Sequence, residues 1–264
     1  MTGVAGVMAL VLAEAVAGAT VFLWAGPLWT EVKPGFFKLL GVILTVLAIL
    51  TWLSVEAAVV ERFPSGDVVL ATTVVAGAAT VLWTALLFLR QPALARVVGW
   101  LSVPAWLAAL VWMGGAGRQS LGLAVFQLAA GAALLGASTD GLLLGHWYLT
   151  DRRLPRRPID RMTMALLASV VAAAVAVISA GFTGVETSTA INPLLTVGAL
   201  APWIALGMVA ATGLIAGFVN AVLKGERASA VQSATGFYYL AVVTAFTAEV
   251  AVKTRFLDTS FGTG

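Results

Sequence analysis

Long apolar runs separated by short polar turns extend along the whole chain. If about 20 apolar residues make one crossing of a bilayer, the pattern predicts eight helical spans. They cover roughly residues 3–25, 37–60, 67–89, 94–114, 121–149, 162–182, 194–222 and 229–252. We therefore predict an all-α polytopic membrane protein, with residues 1–264 forming a single transmembrane domain built as a bundle of eight helices.

Composition supports this interpretation and excludes several kinds of chemistry. Hydrophobic residues make up 61% of the chain, charged residues only 10%, and the mean hydropathy is +1.01. No cysteine and a single histidine are present, which excludes iron–sulfur ligation and a bis-histidine haem within this chain. The residues predict no metal site, and the basic charge lies in turns, which favours lipid contact over nucleic acid.

The basic residues are distributed unequally between the two ends of the predicted spans. With an even number of spans both termini share one side, and that side carries four basic residues against eleven on the other. By the positive-inside rule, we expect the termini in the periplasm or exterior of a prokaryotic-type cell membrane. The eleven are Lys33, Lys38, Arg90, Arg96, Arg152, Arg153, Arg156, Arg157, Arg161, Lys224 and Arg227, and the four are Arg62, Arg118, Lys253 and Arg255.

The first two helix pairs resemble each other in sequence. Residues 16–24, Val-Ala-Gly-Ala-Thr-Val-Phe-Leu-Trp, recur at 75–83 as Val-Ala-Gly-Ala-Ala-Thr-Val-Leu-Trp. The turns that follow also agree, at Pro34 and Pro92, Lys38 and Arg96, and Gly41 and Gly99. The pattern favours four tandem helical hairpins with basic turns, and the alternative is a chance match between helices rich in small residues.

Ionisable residues inside the spans are the first candidates for function, because each costs roughly 2.5–3.5 kcal/mol at mid-membrane on insertion scales. Glu14 is the deepest, and the small residues near it indicate that it faces another helix. Glu56 and Glu249 fall near the outer ends of the second and eighth spans. We predict that the three form a proton route or cation site. The alternative is that Glu56 and Glu249 simply contact interfacial water, with Lys253 as an i,i+4 partner of Glu249. Lys253 itself is expected to snorkel at the outer edge of the last span.

A second set of polar residues lies toward the basic side and predicts a ligand site. A carboxylate, a histidine, amides, hydroxyls and aromatic rings together suit a quinone headgroup, which accepts hydrogen bonds and takes up protons on reduction. The alternative for His146 and its aromatic neighbours is interfacial anchoring. The predicted quinone-binding residues are Asp140, His146, Asn220, Gln232, Thr235, Tyr238 and Tyr239.

The segment between the fifth and sixth spans is the most basic part of the chain. Topology and anionic lipid explain its arginines, and docking of an acidic cytoplasmic subunit is the sharper alternative. This lipid- or partner-facing loop holds Arg152, Arg153, Arg156, Arg157 and Arg161.

These residues support three functional hypotheses. The first is an integral membrane subunit of a respiratory or electron-transfer assembly, with quinone as its cofactor, other membrane or cytoplasmic subunits as partners, and a proton route. The architecture is similar to that of the quinol-reactive membrane anchors of respiratory oxidoreductases, although no motif is shared. The second is a small secondary transporter coupled to protons through Glu14, and the third is a non-catalytic accessory or assembly protein. The sequence contains no self-contained catalytic motif, so any enzymatic role would be that of a subunit.

Overall fold

The computed structural model describes residues 3–58, 66–115, 120–151, 154–181, 197–225 and 228–257. Within these ranges the regular structure is entirely helical, and eight helices are long and apolar enough to cross a membrane. The chain is thus an all-α, multi-pass membrane protein, as predicted. The helices are α1 (Gly3–Ala25), α2 (Leu28–Glu31), α3 (Pro34–Ala58), α4 (Gly66–Phe88), α5 (Pro92–Gly114), α6 (Leu121–Thr150), α7 (Arg157–Ser179), α8 (Val197–Leu223) and α9 (Ala228–Phe256).

The helix ends differ from the predicted spans in two places that matter for function. α7 begins at Arg157, five residues before the predicted span, with a proline in its first turn, where a missing amide hydrogen costs little. α9 continues to Phe256, four residues past the predicted end. Hydropathy detects only the apolar part of a helix, so polar turns at either end are missed.

Two rings of four helices make up the bundle. In the first ring, α1 packs on α3, α3 on α4, α4 on α5, and α5 on α1; α6, α7, α8 and α9 close a second ring in the same way. The rings meet mainly where α1 packs against α6. The share of buried residues is 83% in the apolar window of α1 and 61% in that of α6, against 28–39% in the other six spans. α1 and α6 are therefore the central helices.

A glycine contact holds these two central helices together. Gly18 of α1 faces Ala132 and Gly136 of α6, so closely that a methyl group at Gly18 would overlap the Ala132 carbonyl oxygen. Small residues permit this backbone approach, and close packing drives helix association in lipid. The two helices run in the same direction because they are the first and fifth spans, with three crossings between them.

The sequence repeat corresponds to equivalent packing inside the first ring. The Trp24 indole of α1 occupies the space beside Gly99 of α5, and the Trp83 indole of α4 occupies the space beside Gly41 of α3. The two indoles also meet edge to face, with ring centroids 5.2 Å apart. The repeated tryptophans and glycines thus form two matching contacts.

The two ends of the bundle differ in charge. We call the end that holds Gly3 and Phe256 the terminal face, and the opposite end, which holds Lys33, Arg156 and Lys224, the basic face. Between them, large apolar side chains point outward from the peripheral helices, including Val75 and Leu214, as expected where lipid is the solvent.

Candidate functional site

Three ionisable side chains meet inside the bundle between α1 and α9. Lys253 Nζ lies 2.7 Å from Glu14 Oε1 and 3.1 Å from Glu249 Oε2. Lys253 and Glu14 have no exposed surface, and Glu249 is 3% exposed. We call Glu14, Glu249 and Lys253 the acid cluster.

The local sequence explains how each member reaches the cluster. Glu14 is the twelfth of the 23 residues in α1, so it lies about 16 Å from either helix end at 1.5 Å per residue. Glu249 and Lys253 are four residues apart on α9 and therefore share a face. Space for both carboxyl groups comes from Gly131 of α6, where a β-carbon would lie 2.5 Å from Glu14 Oε1 and 2.7 Å from Glu249 Oε2.

The cluster contains one more acidic group than basic groups. With all three side chains ionised, two carboxylates around one ammonium leave a net charge of −1 in a region screened from water. A buried charge must be compensated, and a single proton on either carboxyl group does so. Glu14 Oε2 accepts no hydrogen bond from any residue in the described ranges, which leaves a position for that proton or for a water molecule.

The structure brings together two of the three acidic residues predicted to act jointly. Glu14 and Glu249 converge, whereas Glu56 is exposed on α3. The expected i,i+4 pair between Glu249 and Lys253 is present. The expectation that Lys253 snorkels at the outer edge is wrong, because α9 extends past it and Glu14 holds its ammonium group inside the bundle.

Asp140 is the most isolated polar residue of the basic half. Its side chain is fully buried on α6, and neither carboxyl oxygen has a hydrogen-bond partner among the described residues. The hydroxyl of the adjacent Thr139 also lacks a partner there. Asp140 is one turn beyond Gly136, on the part of α6 that packs against α1. A buried carboxyl without a partner is costly, so a role for Asp140 is to be expected.

Four of the other residues predicted to bind quinone are not buried. His146, Gln232 and Tyr239 are exposed, and Asn220 is half-buried on α8. His146 and Gln232 lie near helix ends on the basic side, where an interfacial anchor would be placed, whereas Tyr239 lies near the middle of α9.

Tyr238 and Thr235 of α9 are buried, but their hydroxyl groups already have protein partners. Tyr238 fills the space beside Gly141 of α6, with its hydroxyl 2.9 Å from Thr163 Oγ1. Thr235 packs beside Gly145, and its hydroxyl donates to the Val231 carbonyl. Both residues therefore join α6 to α9 within the second ring.

Several residues of the basic loop join the helix ends to one another. Arg156 donates to the carbonyls of Leu223 and Gly225 and so ties the start of α7 to the end of α8. Arg161 pairs with Glu31 at 2.7 Å, which links α7 to α2. Arg157 is exposed, and Arg152 and Arg153 lie outside the described residues. Part of the loop is thus structural, and the exposed part can contact lipid.

Sequence reasoning did not identify Lys253 and Gly131 as parts of the site. The i,i+4 spacing of Glu249 and Lys253 was the available signal for the lysine. No sequence signal pointed to Gly131, because its role depends on two other helices meeting at α6.

Comparison with known proteins adds no assignment: no family model, curated protein or solved structure matches this chain.

Proposed function

We propose that this protein translocates protons across the membrane, as a small secondary transporter in which the acid cluster is the proton-exchange site. The observation that carries the proposal is the arrangement of two carboxyl groups around one lysine, all buried in the bundle. When the cluster gains or loses one proton, its buried charge changes by one unit. Proton relays inside membranes are built from buried ionisable side chains of this kind.

Lys253 has a defined part in this proposal. Its ammonium group holds Glu14 and Glu249 on either side, at 2.7 and 3.1 Å. When one carboxyl takes up a proton, the lysine keeps the other as its counter-ion and the cluster is neutral. When that proton leaves, both carboxylates still contact the ammonium group and the cluster carries a net charge of −1. Lys253 therefore contacts a carboxylate in both protonation states of the proposed exchange site.

Asp140 supplies a second proton-binding position on the way to the basic face. It is nine residues beyond Gly131 on α6, or about 14 Å along the helix. The contact of Gly18 with Gly136 lies between the two positions and closes the α1–α6 seam. In this proposal each position exchanges protons with one side of the membrane, which gives a stepwise route for proton translocation.

Proton uptake by reconstituted protein tests the proposal. Vesicles that contain the protein and a pH-sensitive dye in their lumen are given an inside-negative potassium diffusion potential. Acidification of the lumen is then recorded. We expect the wild type to acidify faster than protein-free vesicles. Glu14→Gln and Glu249→Gln should each reduce the rate at least about tenfold, as expected for loss of a positioned proton-transfer group.

Glu56→Gln is the matched control, because Glu56 is an exposed glutamate on α3. Its rate should equal that of the wild type. Wild-type vesicles that acidify no faster than protein-free ones would contradict the proposal, as would an undiminished rate in both Glu14→Gln and Glu249→Gln.

The second candidate is a quinone-interacting subunit of a respiratory or electron-transfer assembly. The observation that favours it is Asp140, whose buried and unpartnered carboxyl could donate to or accept from a headgroup oxygen near the basic face. This candidate requires quinone as a cofactor and other subunits as partners.

We also propose that the protein resides in the cytoplasmic membrane of a prokaryotic cell, with its basic face toward the cytoplasm. The charge difference of eleven basic residues against four supports this orientation.

A further inference from the structure

A small cavity opens between α6, α7, α8 and α9 at the terminal end of the second ring. Its walls include Val177 of α7 and Ala180 just after that helix, Pro202 and Ala205 of α8, and Phe256 of α9. The volume open to the centres of water molecules is about 20 Å³, and roughly 10–15 Å³ is enough for one water.

Two polar side chains make this cavity suitable for water. Gln127 is 2% exposed, and its Oε1 has no hydrogen-bond partner in the described part of the chain, while its Nε2 donates to the Ala176 carbonyl at 3.4 Å. Arg255 also lines the cavity, and it donates to the Gly181 carbonyl, two residues after α7. A water molecule here would satisfy the buried amide oxygen, which is otherwise costly to leave unpaired.

The cavity lies directly beside the acid cluster. Phe256, one of its walls, has its ring centroid 5.8 Å from Lys253 Nζ. Ala251 and Val252, on the same turn of α9 as Lys253, also line the cavity. On α6, Gln127 is one turn before Gly131, the glycine that both carboxyl groups contact. One aromatic ring and one helical turn therefore separate the cavity from the cluster.

We infer that this cavity is the water-filled vestibule through which protons pass between the terminal face and the acid cluster. In the exchange step a hydronium ion from the vestibule passes the Phe256 ring and transfers its proton to a carboxylate of Glu14 or Glu249, leaving a neutral carboxyl group and a water molecule, while Lys253 stays charged. Gln127 orients the water, and the Phe256 ring limits access. The inference rests on the proposed function and adds the route by which its site is reached.

Filling the vestibule provides the first test, in the same vesicle assay. Ala205 is 1% exposed on the cavity wall, so Ala205→Leu should displace the water and reduce acidification about tenfold or more, as expected for an interrupted proton relay. Ala210→Leu is the matched control, because Ala210 is exposed on the outer side of the same helix, and its rate should be unchanged.

A nearly isosteric variant tests the same point without overpacking the core. The chain has no cysteine, so Ala205→Cys introduces a unique thiol that silver ions can reach only through water. Silver should inhibit acidification by Ala205→Cys and leave the wild type and Ala109→Cys unaffected, since Ala109 is buried in the first ring.

The outcomes separate the two proposals. Wild-type acidification that depends on Glu14, together with silver-resistant Ala205→Cys, would overturn the vestibule and leave the proton-translocation proposal standing. Wild-type vesicles without acidification would overturn both. Silver inhibition of Ala205→Cys alongside normal Ala109→Cys would support the vestibule even if Ala205→Leu fails to fold.

Discussion

At the scale of single residues, Lys253 decides whether the acid cluster is stable. Two carboxyl groups lie within 3.1 Å of its ammonium group, and all three side chains are buried. Removing one member of a buried ionic group leaves the others uncompensated, whereas replacing the whole group with neutral residues is often tolerated. Lys253 is therefore a structural requirement for the wild-type cluster as well as part of its proposed chemistry.

Lys253→Met should lower the free energy of unfolding by about 3–5 kcal/mol, because it leaves Glu14 and Glu249 facing each other without a cation. The triple variant Glu14→Gln, Glu249→Gln and Lys253→Met should recover most of that loss. Unfolding is followed by fluorescence of the nine tryptophans in detergent. Lys33→Met is the control, because the Lys33 side chain is 70% exposed in its ion pair with Asp151, and its loss should cost about 0–1 kcal/mol. Equal effects of Lys253→Met and Lys33→Met would argue against this account.

At the scale of helices, the α1–α6 contact is the least tolerant part of the bundle. Gly18 approaches the backbone of α6 so closely that no side chain fits between the helices. Because the obstacle is backbone and not a flexible side chain, one helix must shift as a whole to make room. The same contact lies between the acid cluster and Asp140, so its integrity matters for separating the two proton-binding positions.

Gly18→Ala should therefore destabilise the protein by about 1–3 kcal/mol through overpacking. Gly77→Ala on α4 is the control: its new methyl group would meet only the Ala48 β-carbon, at 3.9 Å. Since alanine favours a helix over glycine by about 0.5–1 kcal/mol, Gly77→Ala should be neutral or stabilising. Thermal unfolding monitored by tryptophan fluorescence measures both. A Gly18→Ala variant as stable as the wild type would show that the helices can move apart at little cost.

At the scale of the whole molecule, the bundle places its candidate chemistry at the junction of two rings. The acid cluster joins α1 of the first ring to α9 of the second, and Asp140 lies on α6 where the rings meet. The faces of the peripheral helices are apolar and suited to lipid. The proposed proton exchange thus uses side chains of this chain alone.

Purification under mild conditions from native membranes should accordingly yield a colourless protein without stoichiometric quinone or co-purifying redox chains. A visible spectrum shows whether the protein is coloured, and mass spectrometry identifies bound lipids, bound quinones and co-purifying chains. Quinone at about one molecule per chain, lost in Asp140→Asn, would favour the electron-transfer candidate over the transporter. Glu56→Gln would again serve as the control, because Glu56 is exposed and remote in sequence from Asp140.

The sequence by itself determined the eight spans and the difference in charge between the two faces. Both depend on local composition: an apolar run of sufficient length must form a helix in lipid, because its backbone has no other partner. The repeat of Trp24 and Trp83 with Gly41 and Gly99 was also visible in sequence, although the contacts that it produces were not. The depth of Glu14 could be predicted because it depends only on position within a single helix.

Only the tertiary structure decided which polar groups meet. Glu14 and Lys253 are 239 positions apart, and no helical periodicity relates residues on α1 to residues on α9. The same is true of the space at Gly131 and of the missing partners of Asp140. A hydropathy scale gives each buried charged residue an insertion free energy of its own. The free energy of the acid cluster depends instead on the distances between its members, and the packing of the whole bundle sets those distances.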